Sequence, residues 1–464
     1  MPPQIAAIAY VMLILGLFLL SRDKSKHTSP WLWLAVIWLL LASSRSVTQW
    51  LSLGQPIYST DQLLEGSPID RAVYTGLLVV GLLVLATRGR RIRELLSQNI
   101  PIVSFFLYCA VSLLWSDYSD VGLKRWIKAI GDFVMVSIVM TDQEPASAVD
   151  RMLTRAGYLL IPVSVLLIKY YPEYGKTYGQ WDYKAYYTGV TTNKNTLGAL
   201  CLLFGIGFLW RFVNAYQDPK GSSRNRDLVA SGVILGMIGW LFSIVNSMTS
   251  LACFVLAGGL LLAATLRPSI RNPRALHICV GAAIGFAAFS LFVAPALLNT
   301  IGRDSTLTDR TGIWDLALSL SQNGFVGTGF ESFWLGPRLT AMSAVFHWHP
   351  NEAHNGYLET FLNLGWVGLA LLGFVLLRGY RTALASLRRN PRIGTLMLAY
   401  FTAGIIYNFT EAAFFRMMAP VWIFFLLAIT RSPQLLCSES TIAVEPRLKP
   451  VPHWDYLPSG ARSS

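Results

Sequence analysis

The sequence predicts an all-α polytopic membrane protein of about 12–14 transmembrane helices with one large loop that holds short helices. Three observations lead there. The 464 residues are 53% hydrophobic and only 14% charged, with a mean hydropathy of +0.47, which is too apolar for a soluble chain of this length. Apolar stretches long enough to cross a bilayer recur from one end to the other. Between them, most Lys and Arg residues gather in alternate loops, as orientation in a membrane requires.

In chain order, apolar segments fall near 4–21, 30–44, 73–87, 100–115, 127–140, 156–170, 195–213, 227–244, 249–266, 276–296, 358–378, 393–409 and 417–430, about thirteen candidate spans. The first has an uncharged start and no small-residue cleavage site after it, so it reads as a retained span rather than a signal peptide. Basic clusters follow alternate spans, for example Arg88, Arg90, Arg91 and Arg93, or Arg267, Arg271 and Arg274. The basic side is expected to be cytoplasmic, which places the N-terminus outside and the C-terminus inside. The net charge of +13 therefore reports orientation. It does not report nucleic-acid binding, because no aromatic-interleaved basic face is present.

This threading divides the chain into a transmembrane bundle over 1–296, a large outer loop over 297–357, C-terminal transmembrane helices over 358–430 and a tail over 431–464. The tail carries Pro433, Pro446, Pro450, Pro452 and Pro458 with few apolar residues and reads as disordered. Cys109, Cys201, Cys253 and Cys279 lie in apolar segments and Cys437 in the tail, so no disulfide is expected. The large loop opens on an amphipathic stretch, Thr306 to Gln322, with Ile313, Trp314, Leu316, Leu318 and Leu320, which suits a short helix on the membrane surface. Long loops in compact proteins usually carry function.

Three features on the expected outer side could carry chemistry. The run His347-Trp348-His349-Pro350-Asn351-Glu352-Ala353-His354-Asn355-Gly356-Tyr357-Leu358-Glu359 leads into a span. A histidine at such a helix entrance serves either as a base near neutral pH or as a hydrogen-bonded cap. His347, His349, His354 and Glu352 are also metal-ligand types, but their spacing matches no compact zinc signature, and no metal is expected. The second feature is a scatter of cations on the side that orientation keeps poor in them: Arg125, Lys128, Lys194, Arg303, Arg310 and Arg416. Such cations suit a diphosphate, whose oxygens an Arg fork binds bidentately, or equally the lipid headgroups. The third is the carboxylates near span ends, Glu359 and Glu411, with Asp315 in the surface helix; pairing of Glu411 with Arg416 is the simple alternative to a functional role.

The run Ala353-His354-Asn355-Gly356-Tyr357-Leu358-Glu359, with Gly365-Trp366-Val367-Gly368-Leu369 after it, resembles the signature of the O-antigen ligase and polysaccharide polymerase superfamily. Asp309-Arg310-Thr311-Gly312-Ile313-Trp314 and Gly327-Thr328-Gly329-Phe330-Glu331-Ser332-Phe333 resemble the start of that family's large periplasmic loop. Thr192-Asn193-Lys194-Asn195-Thr196-Leu197-Gly198 resembles its motif at the opening of an earlier span. The resemblance implies a glycosyltransferase of the bacterial inner membrane with its active site facing the periplasm. Such an enzyme takes a glycan from an undecaprenyl-diphosphate carrier and passes it to an acceptor glycan or to lipid A core, with neither metal nor cofactor. Membrane lipids and polysaccharide assembly proteins are the further partners implied.

On that resemblance His354 is the catalytic base. Arg310, with Lys194 and Arg125, would hold the diphosphate; Lys128, Asn355, Glu359, Glu411 and Arg416 are the further substrate-binding candidates, and Glu359 could fix the histidine. Trp314, Trp334, Trp348 and Tyr357 would offer faces to sugar rings or anchor the loop at the membrane surface. The form of the Lys194 motif leans toward the exopolysaccharide polymerase branch, with ligation to lipid A core as the alternative. A lipid-linked sugar transporter would instead predict inverted repeats and charges at mid-membrane, and neither is apparent.

Overall fold

The computed structural model describes residues 1–21, 28–51, 67–179, 184–289, 308–346, 350–416 and 418–436. Within the described residues each of the thirteen apolar segments overlaps a helix, because in lipid a backbone must satisfy its own polar groups. The longer helices begin with α1 (Pro3–Leu20), α2 (Leu32–Ala42), α3 (Pro68–Thr87), the polar α4 (Gly89–Gln98), α5 (Ile100–Val111), α6 (Ser119–Met140) and α7 (Pro145–Tyr170). A short hairpin of β1 (Lys176–Tyr178) and β2 (Ala185–Tyr187) follows, paired antiparallel with Thr177 opposite Tyr186. Then come α8 (Lys194–Gln217), α9 (Ser222–Val245), α10 (Met248–Leu266) and α11 (Pro273–Ala288). The loop helices α12 (Thr308–Ser319) and α13 (Gly336–Val345) lead to α14 (Gly356–Arg389), α15 (Pro391–Tyr407) and α16 (Pro420–Ile429).

Among the described residues seven helices are long and apolar enough to cross a membrane, and an eighth span results if α4 and α5, bent by 85°, are counted as one. α2, α11 and α16 are apolar but shorter. The protein is thus a multi-pass, all-α membrane protein. α8, α15 and α16 form its centre: nearly every residue of α15 and all of α16 is buried. α1 lies at the periphery, where Ile8, Met12 and Leu19 are more than half exposed on a face suited to lipid. Cys109, Cys201, Cys253 and Cys279 are free thiols, and Cys437 lies outside the described residues.

The bundle has two distinct ends. At one, the start of α6 meets the long loop, since Arg125 Nη1 donates to the Glu331 carbonyl at 2.7 Å. At the other, the end of α6 meets the basic clusters, where Arg88 Nη1 donates to the Ile138 carbonyl at 2.7 Å and pairs with Asp142.

The loop between α11 and α14 carries a small core of its own. Ile313 and Ala317 of α12 are buried against Phe333, Trp334, Met342, Ala353 and Leu362. This corrects the expectation that α12 spreads its apolar residues on the membrane surface: its most buried residues face the loop's own cluster, while Leu318 stays exposed. The cluster is fixed to the bundle by backbone pairing at a break in α14. There Gly365 adopts φ +64°, and the Trp366 and Val367 amides donate to the Gly324 and Phe325 carbonyls at 2.9 and 3.2 Å. A Cβ on Gly365 would lie 2.3 Å from the Phe325 oxygen, so both the positive φ and the close approach require glycine. The Gly327 and Gly365 motifs, far apart in sequence, are the two sides of this one joint.

Candidate active site

The polar groups at the loop end surround a cleft of about 500 Å³, within the usual range for a small-molecule site. Four segments line it. The N-terminus of α8 supplies Lys194 and Asn195, and the hairpin supplies Thr177 and Tyr186. The turn before α14 brings Glu352 and His354, while the connection from α15 to α16 brings Glu411 and Arg416.

Each segment is placed by local chemistry. Asn193 caps α8, its side chain accepting from the Thr196 amide at 2.9 Å. Asn355 caps α14 in the same way, accepting from the Tyr357 and Leu358 amides at 3.0 and 3.1 Å. The residue before it, His354, has φ +48°, a left-handed conformation that non-glycine residues avoid and that turns its ring back toward the cleft residues. Gly356 follows because a Cβ there would meet Asn408 Oδ1 at 2.1 Å. The Gly356 amide donates to the carbonyls of Asn408 (2.8 Å) and Glu411 (3.1 Å). Asn408 in turn holds the opposite wall, its Oδ1 accepting from the Ala413 and Phe414 amides at 2.8 and 3.0 Å.

His354 Nδ1 lies 3.1 Å from Glu352 Oε1 and 3.3 Å from Glu411 Oε2. Two carboxylates on Nδ1 favour the tautomer with its proton there, which leaves Nε2 as the basic nitrogen. Each carboxylate has its own cation. Arg416 pairs with Glu352, and Arg310 reaches Glu411 Oε1 at 3.5 Å while donating to the Thr410 carbonyl at 2.8 Å. Asn195 Nδ2 adds a hydrogen bond to Glu411 Oε1 at 3.2 Å. Burial lowers the Arg416 guanidinium from its ordinary value, Glu331 raises it, and Arg125 lowers it. The result is a continuous polar chain, Arg310, Glu411, His354, Glu352, Arg416, in which each group is oriented by its neighbours.

The structure brings together His354, Arg310, Lys194, Glu411 and Arg416, and it separates the other expected residues. Glu359 does not fix the histidine. It accepts from Trp334 Nε1 at 2.7 Å, from the Ala353 amide at 3.0 Å and from Asn363 Nδ2 at 3.1 Å, so it anchors the backbone one residue before His354. Asn355 is spent on its cap and is buried. Arg416 pairs with Glu352 rather than with Glu411. Arg125 is tied to Glu331, beside Arg416 but outside the cleft lining, and Lys128 lines a different groove, near Tyr74.

The aromatic residues expected to meet sugars are mostly structural. Trp334 is buried on Glu359, Trp314 donates to the Ala353 carbonyl at 2.8 Å, and Tyr357 donates to the Ile405 carbonyl at 3.2 Å. Asp315 is exposed and does not line the cleft. Trp348, Arg303 and the histidines at 347 and 349 lie outside the described residues.

Sequence reasoning missed Asn195, Asn408, Asn363 and the hairpin. Asn195 stood inside a quoted motif but without a partner; Asn363 and Asn408 gave no signal, because what they hold is decided by segments distant in the chain. Ligand atoms of Glu352, His354 and Glu411 lie within 4.8 Å of one another, close enough for a metal. Two guanidiniums already neutralise those carboxylates, which weakens the case for a divalent ion there.

Residues 234–373 match the O-antigen ligase family, a stretch that contains Arg310, Glu352 and His354. The chain is 24% identical over 323 residues to the exopolysaccharide production protein ExoQ of Rhizobium meliloti (strain 1021), which covers 66% of this chain and 70% of that protein. It is 25% identical over 464 residues to the teichuronic acid biosynthesis protein TuaE of Bacillus subtilis (strain 168), which covers 92% and 89%. Over residues 234–373 the chain is thus similar to the O-antigen ligase family, and along most of its length it is similar to two proteins of polysaccharide production.

Proposed function

We propose that the cleft transfers a glycan from an undecaprenyl-diphosphate carrier to an acceptor hydroxyl at the periplasmic face, and that it does so as a polymerase. The observation that carries this reading is the convergence of His354, Lys194 and Arg416 on one cleft, with Arg310 paired to Glu411 of its lining, at the end of the bundle away from the basic clusters. That end is the periplasmic one if the basic side is cytoplasmic.

His354 Nε2 takes the proton of the acceptor hydroxyl as its oxygen attacks the anomeric carbon. The bond from that carbon to the diphosphate oxygen breaks, and the diphosphate leaves with the electron pair. Glu352 and Glu411 stabilise the imidazolium that forms. Arg416, Arg310 and Lys194 stabilise the charge that develops on the leaving diphosphate, with the Arg forks supplying direction as well as charge. The glycosyl diphosphate is itself an activated donor, so positioning and charge stabilisation are the tasks left to the protein.

The relatives' names concern exopolysaccharide production and teichuronic acid, and this favours polymerisation over transfer to lipid A core. The test is transfer from purified undecaprenyl-diphosphate oligosaccharide in nanodiscs, with carrier-linked repeats and lipid A core offered in competition. Longer carrier-linked glycan is expected. Glycan on lipid A core would make the protein a ligase, and no product with either acceptor would overturn the transferase reading.

A further inference from the structure

Lys128 is displaced from the cleft, and its surroundings form a site in their own right. A groove of about 160 Å³ lies between α3 and α6, with Trp38 of α2 at its back. Its polar rim is cationic: Arg71 at the start of α3, and Lys124 and Lys128 one turn apart on α6. Its walls are apolar, formed by Trp38, Tyr74 and Ile127. The wall is rigid, since Trp38 is 1% exposed, donates to Asp132 Oδ1 at 2.7 Å and packs edge-on against Tyr74 at 5.5 Å.

The groove opens toward lipid. Leu123 and Ile127, beside the two lysines on α6, are 46% and 41% exposed, and Val79, Leu82 and Leu83 continue an exposed apolar face along α3. Cations at the mouth of an apolar groove on a lipid-facing surface match an amphipathic anion better than a soluble one. Among the described residues Asp70 lies near Lys128, and its Oδ1 already accepts from the Thr48 amide at 3.0 Å, while Asp132 is buried behind the groove and holds Trp38.

The groove shares an end of the bundle with the cleft, and α6 runs between the two. Arg125 points to Glu331 and the Arg416 side, whereas its neighbours Lys124 and Lys128 line the groove.

We infer that this groove binds a second phosphate-headed lipid, with Arg71, Lys124 and Lys128 on the phosphate and Tyr74, Trp38 and Ile127 along the first carbons of the chain. Joining two lipid-linked glycans requires two such headgroups at one membrane face. Two diphosphates would repel strongly in a single cleft, and a helix between them relieves that repulsion. Assignment of the groove to the acceptor's carrier rests on the proposed polymerase reading; the lipid site itself does not.

The experiment counts lipids bound to the full-length protein in phosphatidylcholine nanodiscs by native mass spectrometry, with undecaprenyl diphosphate as the probe. Two are expected on the wild type and one on K124Q/K128Q, with groove affinity weakened about twentyfold. R416A is expected to lose the other. K124R/K128R keeps the charge and should retain both.

Titration with phosphatidylglycerol separates the two sources of the headgroup. Displacement of the groove lipid alone would assign the site to bulk anionic phospholipid, whereas resistance to displacement assigns it to the polyprenyl carrier. Unchanged binding of both probes by K124Q/K128Q and by R71A/K124Q/K128Q overturns the proposal. Loss of one lipid from K124Q/K128Q, together with no transfer by the wild type, would keep the groove and sink the polymerase reading instead.

Discussion

Two clusters of arginine and carboxylate lie at opposite ends of α8 and are built differently. At its C-terminal end Arg211 is buried between Asp150 of α7 and Asp227 of α9, bonding Asp227 Oδ1 at 2.9 Å, with Arg392 paired to Asp218 close by. Each side chain of that central triad stands on a helix, and the neighbouring cavity is only about 190 Å³. At the N-terminal end, Arg310 stands on a loop helix, Glu352, His354, Glu411 and Arg416 stand on irregular backbone, and the cleft is about 500 Å³. The contrast separates two uses of the same chemistry. Charges on helices with matched partners lock packing, whereas charges on loops around a left-handed histidine leave polar atoms facing open space, where a substrate can compete for them.

The largest effect should come from His354→Ala, which removes the base and leaves the packing of the bundle untouched. Transfer should fall by about 10²–10⁴-fold while the purified protein unfolds at the wild-type temperature. A wild-type rate would erase the distinction between the two ends. Arg211→Ala should do the reverse. It removes the buried cation that Asp150 and Asp227 share and should cost about 3–5 kcal/mol, read as a lower unfolding temperature in nanodiscs with unchanged activity per folded molecule. An unshifted unfolding temperature would show that the triad is no lock.

Arg310→Lys keeps the charge but loses the fork that spans Thr410 and Glu411, and transfer should drop about tenfold. Full activity in the lysine variant would reduce Arg310 to a general cation. Asn355→Ala should have a smaller effect, about 1 kcal/mol of stability from the lost helix cap. Activity lost in proportion to that destabilisation would keep Asn355 a cap; a much larger loss would return it to the substrate site. Addition of EDTA should change nothing. Activity abolished by EDTA and restored by a divalent ion would turn Glu352, His354 and Glu411 into metal ligands and break the reading of the cleft as an organic site.

Much of this was legible along the chain. The apolar segments found their helices because burying a backbone in lipid leaves few alternatives to a helix. His354 stood out at the mouth of a span, and the glycine motifs marked backbone that the structure shows at φ +69° for Gly327 and +64° for Gly365. Errors arose where a role depended on a partner. Glu359 lies close to His354 in sequence, yet a helix N-terminus points the two side chains apart, and Trp334 and Asn363 claim the carboxylate. Trp314 and Trp334 read as sugar platforms because a loop of unknown shape exposes everything; in the fold they form that loop's core.

The sequence by itself determined that this protein lives in a membrane, which segments cross or line it, and which histidine stands at the long loop's edge, because hydropathy and charge asymmetry are local properties that lipid reads directly. The tertiary structure decided which cations share a cleft with that histidine and which, like Lys128, face a separate groove. Successive residues of one helix point in different directions, so only the packing of α6 against its neighbours sends Arg125 to one site and Lys124 and Lys128 to another.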